Sequence, residues 1–226
     1  MNDADFFPLG EGALTVNFGS EISPEINNRV IQLEKFFEKN SFPGFIESLP
    51  AYASLTIFYD LYQVRKNFRE FSTAFDAVKH FASGALKNLG ETETNEPRLI
   101  EIPVNFSAEH ALDLEFVAES RQLPKAEVIK IFTAQTYRVY MLGFLPGFAY
   151  MGEVDERIAA PRKENPRVKI PKGSVGIAGR QTGIYPSESP GGWQIIGWTE
   201  LELFTPKAEN PTFLQAGDLI KFYPVE

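Results

Sequence analysis

The chain contains no cysteine, which removes disulfide cross-links, thiolate nucleophiles and cysteine-held metal at one stroke. Histidine is nearly as scarce. Only His80 and His110 occur in 226 residues, each expected on the exposed side of a helix in a different domain. Neither a histidine metal cluster nor a Ser-His-Asp triad can be assembled within one domain from that supply. No window approaches the roughly 20 apolar residues that cross a bilayer, and the first residues carry neither a basic start nor a long apolar run. The G-x-x-x-x-G-K-[ST] loop, a strand-anchored G-x-G-x-x-G and the G-x-S-x-G elbow are all missing, and Lys172–Gly176 fails the last of these on spacing. Surplus positive charge is missing too. With 22 Lys and Arg against 30 Asp and Glu, the net charge is -8 and the pI near 5, which argues against general nucleic-acid binding. These absences describe a soluble globular chain, expected in the cytoplasm, with no nucleic-acid or membrane partner.

What is present suggests two domains. In residues 1–90, FFPLG and ALTVNFG read as two short strands, Ser23 as an N-cap with Pro24 at the first helical position, and Ile26, Val30, Leu33 and Phe37 as one apolar helix stripe. Phe45–Leu49 and Ser54–Tyr59 read as a second strand pair, and about 72–89 as a second helix. The order ββαββα predicts a sheet with both helices on one face. The acidic, apolar-poor ETETNEP marks a linker at 91–98. From Leu99 the pattern restarts with a strand, a helix capped by Ser107 and running through Arg121, a second helix opened by Pro124, and a strand from Thr136. SVGIAG, TGIYP, WQIIGWT, LELF and DLIKFYP then predict many short strands, hence a β-barrel or sandwich over 99–226. The fold class expected is α+β.

One stretch concentrates the unusual chemistry. Residues 143–197 hold ten of the 17 glycines and six of the 16 prolines, and from Arg157 to Arg180 seven Lys or Arg face one acid, Glu164. Tight turns plus local positive charge suit an anion or a polar small molecule, or else a contact between subunits. Arg162 and Arg167 offer guanidinium forks for carboxylate or phosphate, with solvated surface charge as the alternative. Phe144, Phe148 and Tyr150, in and beside GFLPGF, suit either a barrel corner or an apolar pocket wall. Gln181, Thr182 and Tyr185 can donate and accept hydrogen bonds, Gly191 and Gly192 can expose backbone N–H groups, and Trp193 is either core or ligand platform. For acid–base work the local carboxylates are Glu153, Asp155, Glu156 and Glu188, and spacing selects none of them.

Read together, PLGEGALTVNFG, LPAYASLTIFYD, GFLPGFAYMG, APRKENPRVKIPKGSVGIAGRQTGIYP, SPGGWQIIGWT and AGDLIKFYP resemble the 5-oxoprolinase B-subunit family over essentially the whole chain. That family includes the sporulation-kinase inhibitors and the proteins called allophanate hydrolase subunit 1. The resemblance implies an N-terminal α+β domain and a C-terminal cyclophilin-like β-barrel. It implies ATP-dependent hydrolysis of 5-oxo-L-proline to L-glutamate, performed with the homologous C subunit of the complex and with its A subunit. Magnesium and ATP would serve the complex, and this chain would be inactive alone. The alternatives are an inhibitor that binds a sensor histidine kinase, or a non-catalytic scaffold of an amidohydrolase complex. Carried onto this chain, the groove candidates are Arg162, Arg167, Ser174, Gln181, Thr182, Tyr185, Gly191, Gly192 and Trp193. Three positions depart from the pattern: Phe132 lies in the stretch where relatives commonly carry His, Asn105-Phe106 replaces Cys-Tyr, and Thr205 stands where many have Asp.

Overall fold

The computed structural model describes residues 4–89 and 97–226, so most of the expected 91–98 linker lies outside the described residues. The chain divides into two compact units, Met1–Glu96 and Pro97–Glu226.

The first unit runs β1 (Asp5–Pro8), β2 (Ala13–Asn17), α1 (Pro24–Lys39), β3 (Phe45–Pro50), β4 (Ser54–Tyr59), α2 (Leu61–Asn67) and α3 (Ala74–Asn88). Its sheet is antiparallel in the order β1-β2-β4-β3. Strand alternation puts Leu14 and Val16 of β2 and Leu55, Ile57 and Tyr59 of β4 on one buried face. Both long helices cover that face, α1 over β3 and β4 and α3 over β2. Ser23 caps α1 as its spacing predicts, accepting the Ile26 N–H at 3.1 Å. The second long helix begins two residues later than expected, because Thr73 and Asp76 form a capping box there. Between them lies α2, which the spacing does not predict. It has seven residues and a single buried side chain, Val64, so no apolar stripe betrays it.

The second unit contains β5 (Leu99–Asn105), α4 (Leu114–Ser120), α5 (Lys125–Ala134), β6 (Thr136–Leu142), β7 (Ala149–Gly152), β8 (Arg167–Ile170), β9 (Ser174–Ala178), β10 (Gln181–Ile184), β11 (Ser189–Gly191), β12 (Gln194–Trp198) and β13 (Leu219–Val225). Seven of these strands close a barrel in the order β10-β7-β6-β13-β5-β12-β9, and β8 pairs separately with β11. The expected α+β class with a C-terminal barrel is what the chain adopts. The first and last strands of the unit pair with each other in parallel, from Leu219 opposite Leu99 to Val225 opposite Asn105. Val139, Met151, Val175, Ile177, Ile184 and Ile196 fill the interior, joined by Val117 of α4 and Phe132 of α5. Among the described residues no helix is long and apolar enough to cross a membrane.

Three local expectations need correction. The helix after β5 does not start at Ser107. Residues 108–110 form a turn, and α4 begins at Leu114 with Asp113 at its N-cap position. His110 therefore lies in a turn, half-buried and stacked on Trp198 at 4.8 Å, not exposed on a helix. LELF makes only an isolated bridge, Phe204 with Thr212, in place of a strand.

Candidate functional site

Folding neutralises most of the basic segment. Arg157 pairs with Asp155 at 2.8 Å, Lys169 with Glu188 at 2.8 Å, Lys172 with Glu202 at 2.5 Å, and Arg180 with both Glu153 and Glu156. Lys163 and Arg167 share Asp113. Among the described residues, Arg162 alone of the seven cations has no acidic partner. It is exposed, and its guanidinium carbon lies 6.0 Å over the Trp193 ring, within range of a cation–π contact. The same pairs occupy all four candidate carboxylates, Glu153, Asp155, Glu156 and Glu188, so none is left as an unpaired base. Asp155 is held down to about 2, chiefly by hydrogen bonds from Arg157.

Asp113 is the node of this region. Only 4% exposed, it takes Arg167 in a two-pronged grip at 2.6 and 2.7 Å, Lys163 at 3.0 Å, and the Ile195 N–H at 2.7 Å. Burial pushes its carboxyl upward, but those donors together hold it below the ordinary carboxylate value. With its oxygens engaged, the carboxylate makes no helix-cap bond on α4. The 159–163 segment is strapped down on both sides of Arg162. Arg121 reaches the Ala159 carbonyl, the Gln194 amide donates to the Pro161 carbonyl at 2.9 Å, and Lys163 N–H donates to Gly192 O at 2.7 Å. Arg162 is thus an unpaired cation on a fixed loop.

Beside it lies an aromatic layer distinct from the barrel core. Phe148 is its centre, meeting Phe144, Tyr150, Tyr185 and Trp193 edge-on at 5.6, 4.9, 5.3 and 5.4 Å. Inward-facing Val175, Ile177 and Ile184 alternate with outward positions, so this layer covers the outer wall of β7, β9, β10 and β12. Two glycines make room for it. A Cβ on Gly183 would come within 2.9 Å of the Phe148 ring, and one on Gly191 within 2.4 Å of the Tyr185 hydroxyl. The glycine-rich sequence therefore serves close packing at these positions. Phe144 is the exposed member, 61% accessible, with φ at +69°. That backbone region is strained for a bulky residue.

The candidates read from sequence divide accordingly. Arg162, Trp193, Tyr185, Gly191, Phe144, Phe148 and Tyr150 gather around the aromatic layer, with Gly192 next to the Lys163 strap. Arg167 is committed to Asp113. Thr182 is fully buried with its hydroxyl donating to Gly176 O, and Ser174 is 2% exposed in the wall. Gln181 is half-buried at the far end of β10, opposite Gly152. Tyr185 is 1% exposed, and burial pushes its phenol up to about 12 against a hydrogen bond accepted from the Trp193 backbone N–H, so it is a neutral phenol in the layer and not a base. Asp113, Lys163 and Gln194 are the members that motif spacing misses. The available signal was an acid near a helix start in a chain with a distant basic cluster, which spacing alone cannot join. Phe132 sits away from this site. It is fully buried and stacked on Phe222 at 5.0 Å in the barrel core.

Comparison with known proteins agrees with this architecture. The family described as carboxyltransferase domain, subdomain C and D, matches residues 4–214. A curated relative from Bacillus subtilis (strain 168), named as the B subunit of 5-oxoprolinase, is 49% identical over 95% of this chain and 90% of its own length. One of the same name from Escherichia coli O157:H7 is 34% identical over 99% of this chain and 97% of its own. Among solved structures, that of TTHA0988 superposes with a TM-score of 0.80 at 33% identity. It covers 95% of this chain, which spans 40% of that longer polypeptide.

Proposed function

The chain belongs to the 5-oxoprolinase B-subunit family, and from that membership we propose that it is the B subunit of an ATP-dependent 5-oxoprolinase that opens 5-oxo-L-proline to L-glutamate. Full-length identity of 49% to a protein of that name supports the assignment. The observation that carries the site is Arg162, the one unpaired cation of the basic segment, held on a strapped loop over Trp193. In this reading Arg162 receives the substrate carboxylate, Trp193 and Tyr150 give an apolar side for the ring, and Gln194 holds the Arg162 loop from beneath through the Pro161 carbonyl. A charge-assisted bond of this kind is worth about 1.5–3 kcal/mol. A lactam resists hydrolysis because its nitrogen donates into the carbonyl. Transfer of a phosphoryl group from ATP to the lactam oxygen, with release of ADP, would end that donation and make the ring carbon electrophilic. Water would add there, the C–N bond would break with the nitrogen leaving as the amine, and hydrolysis of the resulting acyl phosphate would give glutamate and phosphate.

Among the described residues no cluster of three His, Asp or Glu could hold a metal ion. Magnesium and ATP are expected to serve the assembled complex. The test is 5-oxoproline-dependent ATP hydrolysis and glutamate release by this chain mixed with those partners. Activity is expected only in the full mixture. Arg162→Ala is expected to raise KM at least tenfold while assembly and Tm stay unchanged. No activity in the complete mixture would sink the assignment, and an unchanged KM would remove Arg162 from the site and favour a scaffold.

A second reading, in which a protein segment occupies the site, is favoured by Phe144, whose ring is exposed on strained backbone beside the layer. Inhibition of a histidine kinase from the same organism, lost in Phe144→Ala, would support that reading in place of catalysis.

A further inference from the structure

The first unit contains an open cavity of about 380 Å³ between the end of α1, the residues leading into β3, and one face of α3. Its wall is aromatic. Phe42 stacks flat on Phe81 at 5.2 Å, Phe68 meets Phe81 at a steep angle at 4.9 Å, and Phe37 meets Phe42 edge-on at 6.0 Å. On α3, Gly84 lines it, with His80 and Asn88 one turn away on either side, on the same helix face.

Gly84 has no structural reason to be glycine. In the body of a helix, glycine is less favourable than alanine because it surrenders more backbone freedom on folding. At Gly183 and Gly191 a close neighbour excludes a Cβ, but a Cβ on Gly84 would meet nothing within 4 Å. What glycine does there is leave the helix backbone bare against open space inside an aromatic wall. A molecule lying on α3 would need that bare surface.

The lining also specifies the occupant. The chain is 23% charged, yet no Asp, Glu, Lys or Arg lines this cavity. Its rim groups Asn40, Ser41 and Asn88 are uncharged and exposed hydrogen-bonding side chains. An engineered apolar cavity of about 150 Å³ accepts benzene, so a space more than twice as large suits a two-ring system. Flat rings meet the Phe42–Phe81 stack by offset or edge contact.

We propose that this cavity is a binding site for a neutral, planar, bicyclic aromatic molecule, seated over Gly84 with a hydrogen-bonding edge toward Asn40 and Asn88. It is built from residues of the first unit alone and stands whether or not the 5-oxoprolinase assignment holds.

Indole titrated into the full chain, followed by amide NMR shifts and calorimetry, tests it. Expected are saturable shifts centred on Phe81, Gly84 and Asn88. Gly84→Leu, which occupies the floor, is expected to weaken binding at least tenfold with Tm equal or higher, since leucine is the better helix former. Gly84→Ala, the milder change, is expected to weaken it about threefold and covers the case in which the leucine variant does not fold. Benzene is expected to bind at least tenfold more weakly than indole, and indole-3-acetate likewise because no Lys or Arg lines the cavity to receive its carboxylate. Absence of saturable shifts, shifts mapping elsewhere, or indole binding unchanged in both Gly84 variants would overturn the site. Equal binding of benzene or indole-3-acetate would overturn the ligand class.

Discussion

Asp113 shows how much a single side chain can organise when it is buried with more than one cation. Its carboxylate joins the start of α4, the 163–167 region and the backbone of β12, and removing it would leave Arg167, Lys163 and the Ile195 N–H without their shared acceptor. Deleting one partner of a buried ionic cluster costs about 3–5 kcal/mol. Both cations here keep a quarter of their surface in water, 25% for Arg167 and 28% for Lys163. Asp113→Ala is therefore expected to lose about 3 kcal/mol, the lower end of that range. Chemical denaturation followed by tryptophan fluorescence measures it, and a loss under about 1 kcal/mol would show that solvent already screens the cluster. Phe144 invites the opposite change. Phe144→Gly relieves positive-φ strain of about 1 kcal/mol, so stability should rise while any function that uses the exposed ring falls. If stability drops instead, the edge contact on Phe148 outweighs the strain. Neither the Asp113 cluster nor the positive φ of Phe144 is legible in spacing. Asp113 is 50 positions from Lys163 and 54 from Arg167, and an unusual φ follows from the turn around it.

At the scale of elements, patterns of local origin were legible and those imposed by packing were not. Ser23 and Pro24 announce α1, and the stripe Val30, Leu33, Phe37 is buried as the period requires. The start of α4 was misplaced because Ser107 fits a cap pattern that the chain uses for a turn, its carbonyl accepting the His110 and Ala111 N–H groups. Phe132 lies in the stretch where the family resemblance leads one to expect a histidine, a residue able to shuttle protons. Its packing against Tyr137 and Phe222 makes it part of the core under α5, so its ring fills volume and a proton shuttle there would be remote from the aromatic layer. Helix α1 carries one group at odds with its surroundings, Glu34, raised to about 7 by burial first and by neighbouring Glu38 second, against a lowering by Lys35. Below its ordinary value of 4.5 both folded and unfolded chains hold the proton. Between 4.5 and about 7 the unfolded chain has released a proton that the folded one keeps, so stability falls as pH rises. Above about 7 the folded state carries the buried charge. Glu34→Gln should therefore leave stability unchanged near pH 4 and add about 2 kcal/mol near pH 8. Hydrogen exchange of the α1 amides across that range reads the difference, and parallel profiles for the two proteins would show that Glu34 is solvated.

Across the whole molecule, charge and packing separate in a way composition hides. The net charge of -8 and the basic 157–180 stretch suggest a positive patch on an acidic protein, yet the fold brings an acid to every cation there but Arg162, most of them from distant parts of the chain. The glycine and aromatic density that single out the 143–197 segment survive translation into structure as the aromatic layer. It could not choose among the cations, since pairing is decided by contacts up to 54 residues away. Hydrophobic packing is likewise local to each unit. One buried cluster belongs to residues of the first unit, the other two to the second, and neither tryptophan lies in the first. A unit with its own closed barrel and core meets the requirements of an independent domain. Residues 97–226 expressed alone should thus give a cooperative unfolding transition by tryptophan fluorescence, with a midpoint close to that of the full chain. The decisive variant removes residues 219–226. Because β13 pairs with both β5 and β6, its loss opens the barrel and exposes two strand edges, so that fragment should fail to unfold cooperatively. Cooperative unfolding without β13 would mean that the barrel does not depend on closure, and that its core alone holds the 159–163 loop and Arg162 in place.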